Sequence, residues 1–268
     1  MKKRIWIPVI GLAVLIISFV CFTFWQNNNI KTTEYIVETH KVQEEIRIVQ
    51  ISDLHNKNWG EDLIKRTKDL NPNYIVLTGD MVDYYTPNIQ QTLNQIEPLV
   101  EIAPVYFVQG NHEGFSVWYD DFVKKLWEIG VTVLDDTYVE NEDCFIIGVM
   151  DNSLDVPLLD SGKLKILLAH RPEHFDFYAA EEVNLVLSGH THGGQLRLPL
   201  IGGVYAPNQG FFPKYLSGKY EKDGSTLIIS NGLGNGMIPI RIFNQPEIVL
   251  IRIVHTDKVD KIVQNDII

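Results

Sequence analysis

Five histidines, two aspartates and an asparagine stand directly after short apolar runs: Asp53 and His55, Asp80, Asn111 and His112, His170, and His190 with His192. Imidazole and carboxylate are the donors that first-row divalent cations take, and strand ends are where α/β folds gather ligands. Asp53 and His55 are two residues apart, as are His190 and His192; an extended backbone turns each such pair to one side, as two ligands of one ion require. Glycines at 79, 110, 189, 193 and 194 let the chain turn at these points and leave room for ions and phosphate.

Each fragment alone has a plainer reading. Asp-x-His after a strand is commonly a turn, and Gly79-Asp80 is an ordinary turn pair. Asn111 could cap a following helix, and His170 could be a hydrogen-bonded core histidine. Gly189-His190-Thr191-His192-Gly193-Gly194 is the most specific fragment, because two histidines bracketed by glycines have little packing purpose. In order, each behind its own strand, the fragments together predict a metal site.

The elements that position them follow from apolar periodicity. Residues 46–51, 74–77 and 105–108 read as strands, and 63–70, 89–100 and 117–129 as helices, an alternation that implies a sheet with parallel strands. Ile89, Leu93, Ile96 and Val100 form one helical stripe and Trp118, Phe122, Leu126 and Ile129 another; both are expected in the core. Past residue 131 the strands crowd together, at 144–149, 164–168, 185–187, 226–229 and 248–253, so a second sheet packed on the first is expected. An edge strand is expected between Glu34 and Val42.

Lys2, Lys3 and Arg4 are the only charges before Gln26, so in a chain of net charge −11 the remainder is more acidic still. Such a surface repels polyanions and argues against a nucleic-acid partner. Cys21 and Cys144 lie in separate apolar runs, which speaks against a disulfide, and both are expected to pack. Residues 5–25 carry no charge, and 21 residues at about 1.5 Å each reach roughly 31 Å, enough to cross a bilayer. The expected division is a cytoplasmic N-terminus and transmembrane anchor over 1–25, a tether over 26–33 and one domain over 34–268. The basic residues before the span predict a single-pass protein of the cell membrane with its main domain outside the cytoplasm.

In order and spacing, the five ligand blocks resemble the signature of the calcineurin-like metallophosphoesterase superfamily, and they cover nearly all of the chain after the anchor. Asn231-Gly232-Leu233-Gly234, Arg241 and Pro246-Glu247 resemble its bacterial membrane-linked branch of YkuE- and YaeI-type phosphodiesterases. The resemblance implies a four-layer α/β/β/α sandwich. It implies one ion held by Asp53, His55 and His192, a second by Asn111, His170 and His190, and Asp80 bridging both. His112 would then stand beside the leaving group as the catalytic imidazole. Two divalent cations outweigh the aspartates and a bridging hydroxide, so the site attracts phosphate and arms the hydroxide for in-line attack. The mixed nitrogen and oxygen donors suit manganese first, with iron or zinc as alternatives.

Where the superfamily's protein phosphatases carry Asp-Arg-Gly, this chain has Asp83-Tyr84-Tyr85, which argues against a phosphoprotein substrate. Asp83 could orient a ligand from behind, or be a loop carboxylate. Arg171 and Arg241 are candidate contacts to substrate phosphate, with surface or salt-bridge roles as the alternative. The expected function is hydrolysis of a phosphodiester or pyrophosphate, possessed of a lipid-linked or otherwise membrane-associated substrate. The alternatives are a broad phosphomonoesterase and a metal-binding module without turnover. No protein partner is inferred.

Overall fold

The computed structural model describes residues 3–86, 88–159, 162–236 and 240–258. In chain order the strands are β1 (Lys31–Thr39), β2 (Ile46–Ile51), β3 (Tyr74–Leu77), β4 (Val105–Phe107), β5 (Thr132–Val133), β6 (Thr137–Glu140), β7 (Cys144–Gly148), β8 (Leu164–Leu168), β9 (Leu185–Ser188), β10 (Arg197–Leu198), β11 (Gly202–Gly203), β12 (Tyr205–Ala206), β13 (Gly210–Phe211), β14 (Gly218–Lys222), β15 (Ser225–Ile229) and β16 (Glu247–His255). The helices are α1 (Lys3–Asn28), α2 (Glu61–Asp69), α3 (Gln90–Ile96), α4 (Asn111–Gly114), α5 (Tyr119–Glu128) and α6 (Phe175–Ala180).

Two six-stranded sheets form, ordered β1-β16-β2-β3-β4-β5 and β14-β15-β9-β8-β7-β6. Strands β2 to β5 are mutually parallel, as are β7, β8, β9 and β15. Antiparallel pairs join β16 to β2, β14 to β15 and β6 to β7. Alternate residues of a strand face opposite sides of its sheet, and this pattern builds three apolar seams. Val49, Ile75 and Phe107 meet Leu63, Leu93, Phe122 and Leu126 from α2, α3 and α5. Ile48, Val76 and Tyr106 face Ile146, Ile166 and Leu187 between the sheets. Ile147, Leu167 and Val186 meet Phe175, Tyr178 and Ala179 of α6. Three seams separate four layers, the α/β/β/α sandwich, and each fully buried aliphatic side chain contributes about 1.5–3 kcal/mol to holding them.

The N-terminal division differs from the expectation. α1 continues through the polar residues to Asn28 and β1 begins at Lys31, so 26–33 is not a tether. Gln26 and Ile30 are buried: the Gln26 side-chain carbonyl accepts the Asn244 amide at 3.2 Å, and Lys31 donates its own amide to Pro246 at 2.8 Å. These bonds fix the end of the helix to the loop that leads into β16. Along α1, residues 7–28 form one helix long and apolar enough to cross a membrane, and none of it is covered by the rest of the chain in its most apolar stretch. Cys21 lies exposed on that helix, so of the two cysteines only Cys144 packs in the core.

Candidate metal centre

The ligand-type side chains stand on loops at the C-terminal ends of β2, β3, β4, β8 and β9. The same-side placement of Asp53 with His55, and of His190 with His192, does not come from extended strands as the spacing suggested. Asp53, His55, Asp80, His190 and His192 all have positive φ, between 47° and 71°. A non-glycine residue held in the left-handed region is uncommon and costs energy, so its clustering here marks a site whose surroundings enforce it. Amide bonds enforce it in part: Asp53 and His55 donate to the carbonyls of Gly79 and Asp80 at 2.9 and 3.0 Å. Two glycines are required by close approach. A Cβ on Gly79 would fall 2.6 Å from His170 Nδ1, and one on Gly189 would fall 2.0 Å from Ser52 Oγ.

Asp53, His55 and His192 bring their donor atoms into one cluster, and Asp80, His170 and His190 into a second. His55 Nε2 and His192 Nε2 are 3.1 Å apart, with Asp53 Oδ1 3.5 Å from the latter. His170 Nε2 lies 3.2 Å from both His190 Nδ1 and Asn111 Oδ1, and 3.1 Å from Asp80 Oδ2. The same Asp80 oxygen is 3.9 Å from His55 Nε2, so it stands between the clusters. All of the carboxylates and imidazoles of both clusters are buried.

Burial tends to keep His190 and His192 uncharged, and neighbouring His170 and His55 add to it; His190 falls to about 2 and His192 lies well below its ordinary value. Burial opposes charge on His170 as well, but the charge of Asp80 and its hydrogen bond prevail and push the imidazole up to about 10. Against the same burial, His170 holds Asp80 well below the usual carboxylate range. Burial raises Asp53. Paired imidazole nitrogens at such distances can share one proton at most, and the remaining lone pairs are buried from bulk solvent. This donor set fits divalent cations. The outer nitrogens support it: His170 Nδ1 donates to the Thr78 carbonyl at 2.8 Å and His55 Nδ1 to Asp83 Oδ1 at 2.6 Å, each aiming Nε2 inward.

His112 stands apart from the two clusters, with its side chain partly exposed and its Nδ1 2.8 Å from Asp83 Oδ1. Its backbone amide donates to Asp80 Oδ1 at 2.8 Å, and Tyr84 stacks on its ring at a centroid distance of 4.3 Å. Asp83 therefore touches both His55 and His112, and despite its burial their hydrogen bonds hold it well below its ordinary value. His55, His112, Tyr84, Asn235 and Gly236 line a cleft of about 550 Å³ that opens on this histidine.

Three placements decide between readings the sequence left open. Arg241 is fully buried, and its guanidinium donates to the carbonyls of Asn231, Gly232 and Gly234. It braces the loop whose Leu233 and Gly234 amides bond Ser52 and Asp53, so it supports Asp53 from behind and is closed off from the surface. Arg171 is clamped on both oxygens of Asp151 at 2.7 and 2.9 Å, the salt-bridge alternative. Nor does Asn111 cap α4: Gly110 is the N-cap, which leaves the Asn111 side chain free for the site.

Glu113 is the residue that sequence reasoning missed. Its buried carboxylate accepts the amides of Asp80, Met81, Val82 and Gly110 at 2.8, 2.5, 3.0 and 2.9 Å, and so ties the loop after β3 to the loop after β4. Burial and then Asp80 push it up to about 7, opposed by those donors. Its signal was its place three residues after Gly110, the spacing of a capping box. Asn208, also missed, stands 3.1 Å from His190 Nε2; nothing in the surrounding sequence announces it.

A sandwich of two mixed sheets with clustered imidazoles and carboxylates at its strand ends defines a metal-dependent phosphoesterase, and the chain belongs to the calcineurin-like phosphoesterase family, whose profile matches residues 46–194. It is similar to the metallophosphoesterase YkuE of Bacillus subtilis (strain 168), at 28% identity over 252 residues that cover 85% of this chain and 87% of that one. Phosphodiesterase YaeI of Escherichia coli (strain K12) is 26% identical over 224 residues, 78% of this chain and 82% of its own. A transmembrane protein with metallophosphoesterase domain from Danio rerio is 27% identical over 236 residues, 76% of this chain and 52% of the fish protein. The protein is accordingly a hydrolase of phosphate esters, and its family is metal-dependent.

Proposed function

We propose that the chain is a two-metal phosphodiesterase, acting on a phosphodiester or pyrophosphate of a membrane-associated substrate. The observation that carries this reading is Asp80 standing between two buried clusters of imidazole nitrogens, 3.1 Å from His170 and 3.9 Å from His55. Asp53, His55 and His192 would hold one ion, Asn111, His170 and His190 the other, and Asp80 both. Bound there, divalent ions, manganese first, supply Lewis acidity to the phosphoryl oxygens and lower the pKa of the attacking water.

The chain's own residues do the rest. Neutral His190 and His192 present lone pairs, and Asp53 and Asp80 provide the negative charge. Asp83 orients His55 from its outer nitrogen and places His112 at the cleft. His112, partly exposed there, delivers a proton to the departing oxygen. The diester preference follows YaeI, whose name states that activity. α1 anchors the protein in the cell membrane as a single span, with the catalytic domain outside the cytoplasm, in keeping with the basic residues that precede its apolar stretch.

The test is turnover of 4-nitrophenyl ethyl phosphate and of 4-nitrophenyl phosphate by the manganese-loaded chain, with Asp80→Asn as the blank. The diester is expected to be cleaved faster than the monoester. Asp80→Asn is expected to lose at least one ion and to slow by on the order of 10³-fold. Two retained ions with full activity in that variant would remove Asp80 from its bridging role.

A further inference from the structure

The segment after His192 carries large apolar side chains that the fold leaves outside. Leu198, Leu200, Ile201, Phe211 and Phe212 are all exposed, Leu200 completely and Phe212 at 79%. They sit on two short hairpins, β10–β11 and β12–β13, whose turns carry no core. An exposed apolar patch of this kind marks a surface that meets something.

Its charge is as unusual as its polarity. The chain has 34 acidic residues, yet none lies between Glu182 and Glu221 and none between Asp223 and Glu247. The first of these stretches contains Arg197, Lys214 and Lys219, of which Lys214 and Lys219 are paired with Asp176 and Glu221 at 2.6 and 2.7 Å and Arg197 donates to the Ser217 hydroxyl at 3.0 Å. Residues 196–212 thus carry exposed apolar side chains, one arginine and no acid on an otherwise acidic protein, which spares this surface the repulsion that an anionic bilayer exerts on the rest.

The segment is also joined to α1. The ring of Phe22 packs on that of Phe243 at 5.3 Å. Phe22 lies six residues before the helix end at Asn28, so Phe243 sits about 9 Å up the helix from that end. Ile242 bridges Leu196 and accepts the Arg197 amide at 3.0 Å, which carries the connection into the β10–β11 hairpin. Phe212 then donates its amide to Val204 at 2.8 Å and closes the second hairpin, and Asn208 within it reaches His190. One run of ring, backbone and side-chain contacts thus leads from the apolar helix, through the hairpins that carry the exposed side chains, to His190.

We propose that residues 196–212, with Phe243, form a membrane-seating surface that enters the headgroup layer of an anionic bilayer beside α1 and holds the metal centre at the level of lipid phosphate esters. The proposal rests on α1 as a membrane span and deepens the function proposed above: the substrate class becomes a phosphodiester borne by an amphiphile in the same bilayer. A protein partner on this face would have to sit within the interface that α1 already occupies.

The test uses the full chain in nanodiscs of phosphatidylcholine and phosphatidylglycerol, in a Cys21→Ser background. A nitrobenzoxadiazole probe is placed at Leu200→Cys, at Phe212→Cys and, as control, at Glu142→Cys in the β6–β7 turn at the other end of the second sheet. Emission at 200 and 212 is expected to shift to the blue and to fall about twofold or more with nitroxide-labelled lipid, while 142 is unchanged. Probes at 200 and 212 that behave like 142 overturn the proposal.

A second measurement separates seating from chemistry. Leu200→Glu with Phe212→Glu is expected to lose about tenfold or more in kcat/KM for 4-nitrophenyl hexadecyl phosphate in the bilayer and to keep the wild-type rate on soluble 4-nitrophenyl ethyl phosphate. An equal loss on both esters overturns the proposal, because the segment would then serve the site and not the bilayer. If the wild-type chain cleaves neither ester, the phosphodiesterase reading fails, and probe quenching still decides the seating.

Discussion

The two sheets equip the metal centre differently. The first supplies Asp53, His55, Asp80, Asn111 and His112, and the second supplies His170, His190 and His192. Every carboxylate of the two clusters thus comes from one sheet, while the other offers imidazole alone. In the first sheet the loops after β3 and β4 are pinned through the Glu113 carboxylate and the amides it accepts, and the Asp53 and His55 amides tie the loop after β2 to them. Those of the second lean on the first, since His170 donates to Thr78 and the His190 amide donates to Asp53 at 3.0 Å. Each cluster takes members from both sheets, so ions bound there would cross-link the sandwich at its open end. The carboxylates that would attract a cation stand on the more tightly bonded side, and the imidazoles of the second sheet would complete each set of donors.

That asymmetry can be broken one residue at a time. The largest effect after Asp80 is expected at His112, which belongs to the first sheet but to neither cluster. His112→Asn should retain both ions and lose about 10²-fold or more in kcat, the usual contribution of a positioned proton donor. Metal analysis with steady-state turnover checks it; loss of an ion along with rate would make His112 a ligand.

Asp83 sharpens the comparison from behind the ligands. Asp83→Asn removes the charge that orients His55, and metal affinity should fall about 10–100-fold while His190 and His192 remain undisturbed. Competition against a fluorescent chelator measures this. Unchanged affinity would show that His55 needs no carboxylate behind it.

Protons give a smaller effect that tests the coupling of the sheets. In the metal-free protein Asp80 and its neighbours raise His170 from its ordinary 6.5 to about 10. That ion pair stabilises the fold fully below 6.5, and its contribution is lost as pH rises through about 10. An ion at His170 Nε2 must displace the proton, so affinity should climb up to about tenfold per pH unit between pH 7 and 10. Titration calorimetry at pH 7.5 in buffers of different ionisation enthalpy should show about one proton released. No release would mean that the second sheet's imidazole is already neutral.

The clustering of these candidate ligands was legible in the sequence because each stands at the end of an apolar run, and apolar runs are what a sequence displays most plainly. The core strands were legible for the same reason: 46–51 and 164–168 are strands over those very residues. What was not legible depends on contacts across the fold. Glu113 binds amides more than thirty residues away, and no local pattern shows that Asp80 and Gly110 will meet. Arg241 was a candidate phosphate contact with a surface or salt-bridge role as the alternative, and neither anticipates a buried arginine that supplies donors to the carbonyls of the glycine-rich loop 231–234. The hairpins of 197–211 have two-residue strands, too short to carry a period of two. The end of α1 extends over polar residues because Gln26 and Asn27 find partners in Asn244, Arg241 and Lys57.

The central claim is that two ions lie between two unequal sheets, and metal stoichiometry tests it most directly. The purified chain, loaded with manganese and freed of excess, should hold two ions, as should the Asn111→Asp variant, whereas His192→Ala should hold one, retained at Asp80, His170 and His190. A single ion in the wild-type chain, or two in His192→Ala, would contradict the account.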